Sequence, residues 1–440
     1  MHCARMRACT FRSRWRRQLM TNEEKAAQLW QQTGFAQQTV IQTAVATPLL
    51  AGQSVAGVAP TGSGKTLAYG IPTLSRLTPG AGLQLVIIVP AQELAIQIRD
   101  VLTPLAKTLD LGFQGLIGSA NRERQIKLLR EKPEAVVATV GRFIDLLEEG
   151  KLRLDTVKTL IVDEFDSFEP DALADILSIR RGGLPQTANL GLFSATDSQA
   201  ILGEFKAAWP ELTLVDETKT DKSRGPVKHL LLDRQMTGKI QVLERLAREK
   251  HQRIFVFFNH KHVLQKVASQ LRYQHVPASM LITDGRQVQR AEALQDFRSG
   301  KVPLLLTTDV AARGLDVADV TAVVNFELPD TLTTYIHRTG RTGRQGAPGT
   351  IYNLGNDHDL RDLRHLVGDR IALETEPGET KPTAKHQPAN SATTSEPPAP
   401  SARKPRKKAL TSAEEEEASA KKRKKRKERW RNKKNVGKHW

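Results

Sequence analysis

Short apolar runs recur along this chain, each closing on polar or small residues. In the first half they fall at 54–58, 84–90, 135–139, 159–163 and 190–193, separated by stretches with helical spacing. Runs this short, rich in β-branched residues and apolar on both faces, predict buried strands of a parallel sheet with crossover helices. The polar residues that close the runs then line one edge of the sheet, where such sheets bind ligands. A second set follows at 254–258, 278–282, 303–308 and 321–326. The pattern therefore predicts an α/β chain with two domains of similar size and a cleft between them. TNEE at 21–24 predicts a helix start, with a capping residue followed by acids in the first turn.

Composition adds boundaries. We expect an Arg-rich extension at 1–19, a first domain at 20–216, a polar linker at 217–225 and a second domain at 226–373. From about Glu374 the chain turns Pro/Thr/Ser/Ala-rich, then acidic at 414–417, then KKRKKRK at 421–427. Such a segment cannot bury a core, so 374–440 is expected to be a disordered basic tail. Residues 1–19 resemble an organellar transit peptide, being acid-free and Arg-rich. The favoured expectation is a dispensable extension, or translation starting at Met20.

The net charge of +18 suggests a nucleic-acid partner, but its distribution changes that picture. Residues 401–440 hold seventeen Lys/Arg against five Glu, and residues 1–19 hold six Arg and no acid, which leaves 20–400 formally neutral. Any grip on RNA or DNA must come from local patches or from the tail. Both cysteines, Cys3 and Cys9, lie in the first nineteen residues. The remaining chain therefore offers no disulfide framework, thiolate metal site or cysteine nucleophile, which fits a reducing, cytoplasmic setting. No apolar run approaches a membrane span.

The candidate chemistry sits where the runs close. APTGSGKT at 59–66 follows the run at 54–58. Thr61, Gly62, Ser63 and Gly64 can turn backbone N–H groups around a polyphosphate, Lys65 can reach the outer phosphates, and the Thr66 hydroxyl can ligate Mg²⁺. The helix that follows aims its N-terminus at the same anion. Ala59 stands where this pattern usually has glycine. Asp163 and Glu164 close the run at 159–163; behind a phosphate loop, the Asp suits the metal and the Glu an attacking water. Ser194 and Thr196 could link these carboxylates to the domain interface by hydrogen bonds. The Gln42 amide can donate and accept at once, which suits the N6/N7 edge of adenine. HRTGRTGR at 337–344 spaces arginines by three, predicting one face of guanidinium groups able to clamp a phosphoryl group in transit. Lying in the second domain, they act only when the cleft closes.

In this order and spacing, residues 30–370 resemble the DEAD-box RNA helicases of helicase superfamily 2. The matching stretches are GFAQQTVIQ (34–42), APTGSGKT, PAQELAIQ (90–97), TVGR (139–142), DEFD (163–166), SAT (194–196), QVQR (287–290), TDVAARGLD (308–316) and HRTGRTGR. The resemblance implies two tandem RecA-like domains and an RNA-stimulated ATPase using ATP and Mg²⁺. Such an enzyme locally unwinds short RNA duplexes, or remodels RNA–protein complexes, by closing its domains on RNA. It implies that Gln42 reads adenine, Asp316 binds the ribose, and residues 61–66 hold the phosphates, with Thr66 and Asp163 on the metal. Glu164 would orient water, Ser194 and Thr196 would couple ATP state to closure, and Arg341 and Arg344 would act as arginine fingers. Thr139, Gly141, Arg142, Gln287, Arg290 and Thr308 would line a groove that grips RNA phosphates and 2′-hydroxyls without reading bases. A monomeric core and ribosomal or mRNA-decay partners complete the expectation.

Three departures from the family pattern stand out. Phe165 replaces an alanine, which is expected to alter packing and not catalysis. Ala91 and Gln92 replace Thr and Arg, which removes one phosphate-binding guanidinium. Gln38 and Val40 replace prolines beside the adenine-reading glutamine, where selectivity could loosen. The missing guanidinium favours a second reading, an RNA clamp or chaperone with slight ATP turnover. The complete set Lys65, Asp163, Glu164, Arg341 and Arg344 favours the enzyme. A DNA helicase is disfavoured only by the resemblance.

Overall fold

The computed structural model describes residues 20–375, apart from Ser119, Lys222, residues 283–286, Arg313, Asp316 and Gln345. Seven strands form the first sheet: β1 (Val55–Val58), β2 (Leu85–Val89), β3 (Phe113–Leu116), β4 (Ala135–Thr139), β5 (Thr159–Asp163), β6 (Asn189–Ser194) and β7 (Thr213–Asp216). Their order across the sheet is β3-β4-β2-β5-β6-β1-β7, and every pair is parallel. The second sheet holds β8 (Val227–Asp233), β9 (Ile254–Phe258), β10 (Ala278–Leu281), β11 (Leu304–Thr308), β12 (Ala322–Asn325), β13 (Gly349–Gly355) and β14 (Glu374–Thr375). Its order is β10-β11-β9-β12-β13-β8-β14, also wholly parallel. Counted within each domain, the two orders are the same.

Burial explains why these runs became strands. All five residues of β2, LVIIV, are buried, and so are those of β5 and β9. Helices cover both faces, so each apolar side chain leaves water, worth about 1.5–3 kcal/mol apiece. The helix Gln92–Thr108 buries Leu94, Ala95, Ile98, Leu102, Leu105 and Ala106, one stripe at helical spacing. The helix Asn22–Gln32 starts as TNEE predicts: Thr21 and Glu24 form a reciprocal capping box.

The apolar pattern does not reveal β3, β7, β8, β13 or β14. β3 and β7 are edge strands whose residues are mostly half-buried or exposed, so they lack a continuous apolar run. β8 and β13 are interrupted by His229 and Asn353, which are buried and satisfied by hydrogen bonds instead. β14 shows that ordered chain continues through Thr375, just past the point where composition turns tail-like. Residues 1–19 and 376–440, including the tail's basic runs, lie outside the described residues. Among the described residues no helix is long and apolar enough to cross a membrane.

Candidate nucleotide site and inter-domain cleft

β1 ends at Val58 and the chain turns at once into the helix Lys65–Ser75. Gly62 and Gly64 make that turn with φ of 86° and 84°, a left-handed conformation costly for any residue with a Cβ. A Cβ on Gly64 would lie 2.4 Å from Gln42 Nε2, so the loop is also packed too closely for a side chain there. Ser63 is fully buried and its hydroxyl has no protein partner. Lys65 Nζ donates to the carbonyls of Ala59 (2.7 Å) and Pro60 (2.9 Å), leaving one of its three protons for an anion. Burial lowers the Lys65 pKa, against the pull of Asp163 and Glu164.

Gln42 lies beside this loop on the helix Val40–Leu50. Its Oε1 accepts from Thr39 N (2.8 Å) and its Nε2 donates to Gly64 O (3.2 Å), while the Thr39 hydroxyl donates to Ser63 O (2.7 Å). The glutamine thus braces the loop, with one proton and one lone pair still available on its amide.

Asp163 and Glu164 follow at the end of β5. Asp163 is buried; its two oxygens accept from Tyr69 Oη (2.8 Å) and Glu164 N (2.9 Å). Burial, then the neighbouring Glu164 charge, raise its pKa to about 6. Glu164 itself is left-handed, at φ 51° and ψ 47°. A non-glycine residue held there costs about 1–3 kcal/mol and persists only where its surroundings impose it. The bend sends the chain into a short turn, Phe165–Ser167, and Phe165 fills the core fully buried.

The second domain meets these residues directly. Thr61, Gly62, Gly64, Lys65, Thr66, Asp163 and Glu164 line one cavity of about 230 Å³ together with Gly314, Leu315, Arg341 and Arg344. Arg341 is buried and donates to Leu315 O; Arg344 Nε donates to Gly340 O at 3.0 Å. Thr61 Oγ1 donates to Gly340 O across the cleft at 3.2 Å. Gly314, at φ 69°, presses its Cα so near Leu94 N that a Cβ would sit 2.3 Å away.

A relay spans the same interface. The Thr196 N–H donates to Ser194 Oγ (3.1 Å), and Thr196 Oγ1 donates to Asp166 Oδ2 (2.5 Å). The same Asp166 oxygen accepts from His337 Nε2 of the second domain at 3.1 Å, and Ser167 Oγ lies 3.2 Å from His337 Nδ1. Burial opposes the Asp166 charge, but His337 and the Thr196 and Ser194 hydroxyls outweigh it and hold the carboxyl down at about 2. Burial likewise opposes charge on His337, and Asp166 overcomes it to raise the imidazole pKa.

The arginines of 337–344 do not form one face. Arg338 points into its own domain, 1% exposed, clasping Asp309 Oδ1 and Oδ2 (2.6 Å each), Asn259 Oδ1 (2.6 Å) and Glu327 O (2.7 Å). The helix Leu332–Thr339 ends before Arg341, so threefold spacing no longer maps to one surface, and only Arg341 and Arg344 reach the cavity.

The expected RNA-facing residues fall into two groups. Thr139 closes β4, and Gly141 is the second residue of the helix Val140–Glu148, with free space where a Cβ would stand. Arg142 donates to Gln125 Oε1 and Gly118 O, both at 3.0 Å. In the second domain, Thr308 closes β11. Arg290 donates to Ala311 O (2.7 Å) and pairs with Glu93 of the first domain at 2.9 Å. Gln287 begins the helix Gln287–Arg298, with its side chain outside the described set, as Asp316 is altogether. Ala91 occupies the cap of the helix Gln92–Thr108 without a side-chain capping bond, a loss that follows from its departure from threonine.

Tyr69, Glu93, Asp166 and His337 have no role assigned from the sequence, and Arg338 is placed by it on the phosphoryl-clamping face. Tyr69 could have been found from its i+4 spacing to Lys65, which puts both on one helix face. The others act through partners distant in the chain.

The residues present fit a nucleotide with Mg²⁺. The orphaned Ser63 hydroxyl, the glycine cradle and the free Lys65 proton suit phosphates, and Thr66 and Asp163 offer hard oxygen donors. No group of three or more His, Cys, Asp or Glu that could hold a metal occurs among the described residues, so a magnesium ion here would complete its ligand set with water and phosphate oxygens.

The chain is similar to known ATP-dependent RNA helicases. The DEAD/DEAH box helicase family pattern matches residues 39–202, and the helicase conserved C-terminal domain matches residues 238–346. A DEAD-box ATP-dependent RNA helicase of Bacillus cereus, CshC, is 31% identical over 76% of this chain and 86% of its own length. A probable ATP-dependent RNA helicase of Bacillus subtilis, YfmL, is 35% identical over 77% and 90%. The structure of Dbp5 from S. cerevisiae bound to RNA and ADP BeF3 superposes with a TM-score of 0.71 at 26% identity, covering 80% of this chain and 93% of that one.

Proposed function

This chain belongs to the DEAD-box family of ATP-dependent RNA helicases, and on that premise we propose how its residues divide the work. It hydrolyses ATP and uses closure of its two RecA-like domains, residues 20–216 and 226–373, to unwind short RNA duplexes or remodel RNA–protein complexes. The observation that carries the division is the single cavity shared by Lys65, Asp163 and Glu164 of the first domain and Arg341 and Arg344 of the second.

Residues 61–66 hold the phosphates through backbone N–H groups and the Lys65 ammonium. Gln42 meets adenine with its remaining proton and lone pair, and Asp316 meets the ribose. When bound, Mg²⁺ offsets phosphate charge, and Thr66 and Asp163 are the residues that would hold it. Tyr69 fixes the Asp163 carboxylate. The backbone turn at Glu164 aims its carboxylate into the cavity, where it orients the attacking water. Arg341 and Arg344 place positive charge against the transferred phosphoryl, which works only while the domains are together. Ser194 and Thr196 tie that closure to the carboxylate turn through Asp166 and His337.

RNA lies against Thr139, Gly141 and Arg142 on the first domain and Gln287, Arg290 and Thr308 on the second, so both must be in register to grip one strand. Contacts go to phosphates and 2′-hydroxyls, and the basic tail adds sequence-indifferent affinity. A monomeric core, a cytoplasmic location and partners in ribosome assembly or mRNA decay fit this reading.

The test compares RNA-stimulated ATP turnover by the whole chain and by residues 20–216 alone. The fragment is expected to bind nucleotide and fail to turn it over. A fragment that matches the whole chain removes the two-domain site.

A further inference from the structure

The segment joining the domains is fastened at both ends to the two halves of the nucleotide site. At its start, Glu217 N donates to Val58 O at 2.8 Å, and Val58 is the last strand residue before the phosphate loop. A turn follows, with Asp221 N donating to Glu217 O at 3.0 Å. At its far end the segment is zipped to the loop that carries the arginines. Gly346 N donates to Ser223 O, and Gly225 N donates to Gly343 O, each at 3.0 Å. Arg224 Nη2 donates to Thr339 O at 3.0 Å, closing the last turn of the helix Leu332–Thr339. The approach admits no side chain: a Cβ on Gly225 would lie 2.1 Å from Ala347 O, and one on Gly343 would lie 2.4 Å from Val227 Cγ2.

We propose that residues 223–225 are a strap that fixes the register of the arginine loop, 341–344, with Arg224 as its positioning residue. The inference rests on the reading that Arg341 and Arg344 act on the nucleotide. Glycines at 340, 343 and 346 lie within and beside that loop, which would otherwise wander, because glycine restrains φ and ψ least. The strap bonds the chain before, within and after the loop, at Thr339, Gly343 and Gly346. Through its bond to Thr339 O, Arg224 holds the loop from behind without lining the cavity. Residues 223–225 therefore move with the second domain, and the hinge is confined to the turn that begins at Glu217.

The experiment measures RNA-saturated ATPase kinetics of the full chain for Arg224→Ala, Arg224→Lys and Gly225→Ala, with Arg341→Ala alongside. A misplaced catalytic group loses rate steeply with distance, so Arg224→Ala and Gly225→Ala are expected to lower kcat by about tenfold or more. KM for ATP should stay within about twofold, the melting temperature of Arg224→Ala should be unchanged, and Arg224→Lys, which keeps a donor, should recover part of the rate. Parental kcat in Arg224→Ala and Gly225→Ala overturns the strap. So does, in Arg224→Ala, a loss of rate matched by an equal loss of nucleotide affinity or of melting temperature, because that is general structural support. If Arg341→Ala itself keeps parental turnover, the arginine reading has failed; if it is inactive while the strap variants are unimpaired, only the strap has.

Discussion

The two sheets of this molecule share one strand order and do opposite things with the same edge. In the first domain the chain leaving β1 opens into residues 59–66, a glycine cradle with a buried hydroxyl left unpartnered. In the second, the chain leaving β8 passes through Arg234 and Gln235 straight into the helix Met236–Arg248, with no glycine loop. The strand-five positions differ in the same way. Asp163 and Glu164 at the end of β5 face the cavity. Glu327, two residues past β12, is drawn inward and accepts from Asn259 N (2.9 Å) and His260 N (3.0 Å). Arg338 completes that internal clasp. Equal topology thus carries the proposed nucleotide site in one copy and, in the other, a platform that brings Arg341 and Arg344 to the same cavity. Function resides in the loops grafted onto the fold.

The contrast can be broken by experiment, beginning with its largest consequence. If the second domain's contribution is charge at the transferred phosphoryl, Arg341→Ala should cut ATP turnover by about 10³–10⁵ while nucleotide binding stays intact. Turnover within tenfold of the parent would leave the second sheet a bystander. Next, Glu164→Gln should keep ATP and RNA binding and lose about 10²–10⁴ in rate, the span of a positioned base. Single-turnover hydrolysis at near-parental speed would remove Glu164 from the reaction.

A smaller effect should appear with pH. Burial raises the Asp163 pKa to about 6, so the fold favours its protonated form. Stability linked to this group is present below the usual value of about 3.9 and is lost as pH rises through about 6. On the proposed function activity runs the other way, because a carboxylate that is to hold a metal must be ionised. The rate kcat/KM should therefore fall by about tenfold per pH unit below that value. Tyr69→Phe deletes a donor to the carboxylate and should move this acid limb to higher pH. A limb centred near 4 in both proteins would show that burial does not control the group.

The smallest effect on turnover is expected from the tail. Truncation after residue 375 should leave maximal ATPase nearly unchanged, raise the RNA concentration for half-stimulation and flatten the salt dependence of binding, because fewer counterions are released. Trp430 and Trp440, if they stack on unpaired bases, add about 1–3 kcal/mol each. Identical slopes of RNA affinity against salt for both proteins would mean that the tail does not touch RNA.

What the chain alone determined is what local rules can specify. Runs apolar on both faces, such as LVIIV and IFVFF, read as buried strands because they are too short for a buried helix. Thr21 with Glu24, and the glycines of the phosphate loop, carry their conformation in their own chemistry. The contiguous site motifs were legible for the same reason. Tertiary structure decided the rest. Edge strands β3 and β7 exist because a neighbour supplies their hydrogen bonds, and their residues have no pattern of their own. Asp166 meets His337, Glu93 meets Arg290 and Arg224 meets Thr339 across gaps of more than a hundred residues. Which of three evenly spaced arginines turns inward was settled by where a helix ends and what lies beneath it. Periodicity reports a side chain's direction only within one element, and the charges that act together here come from elements that meet only when the chain is folded.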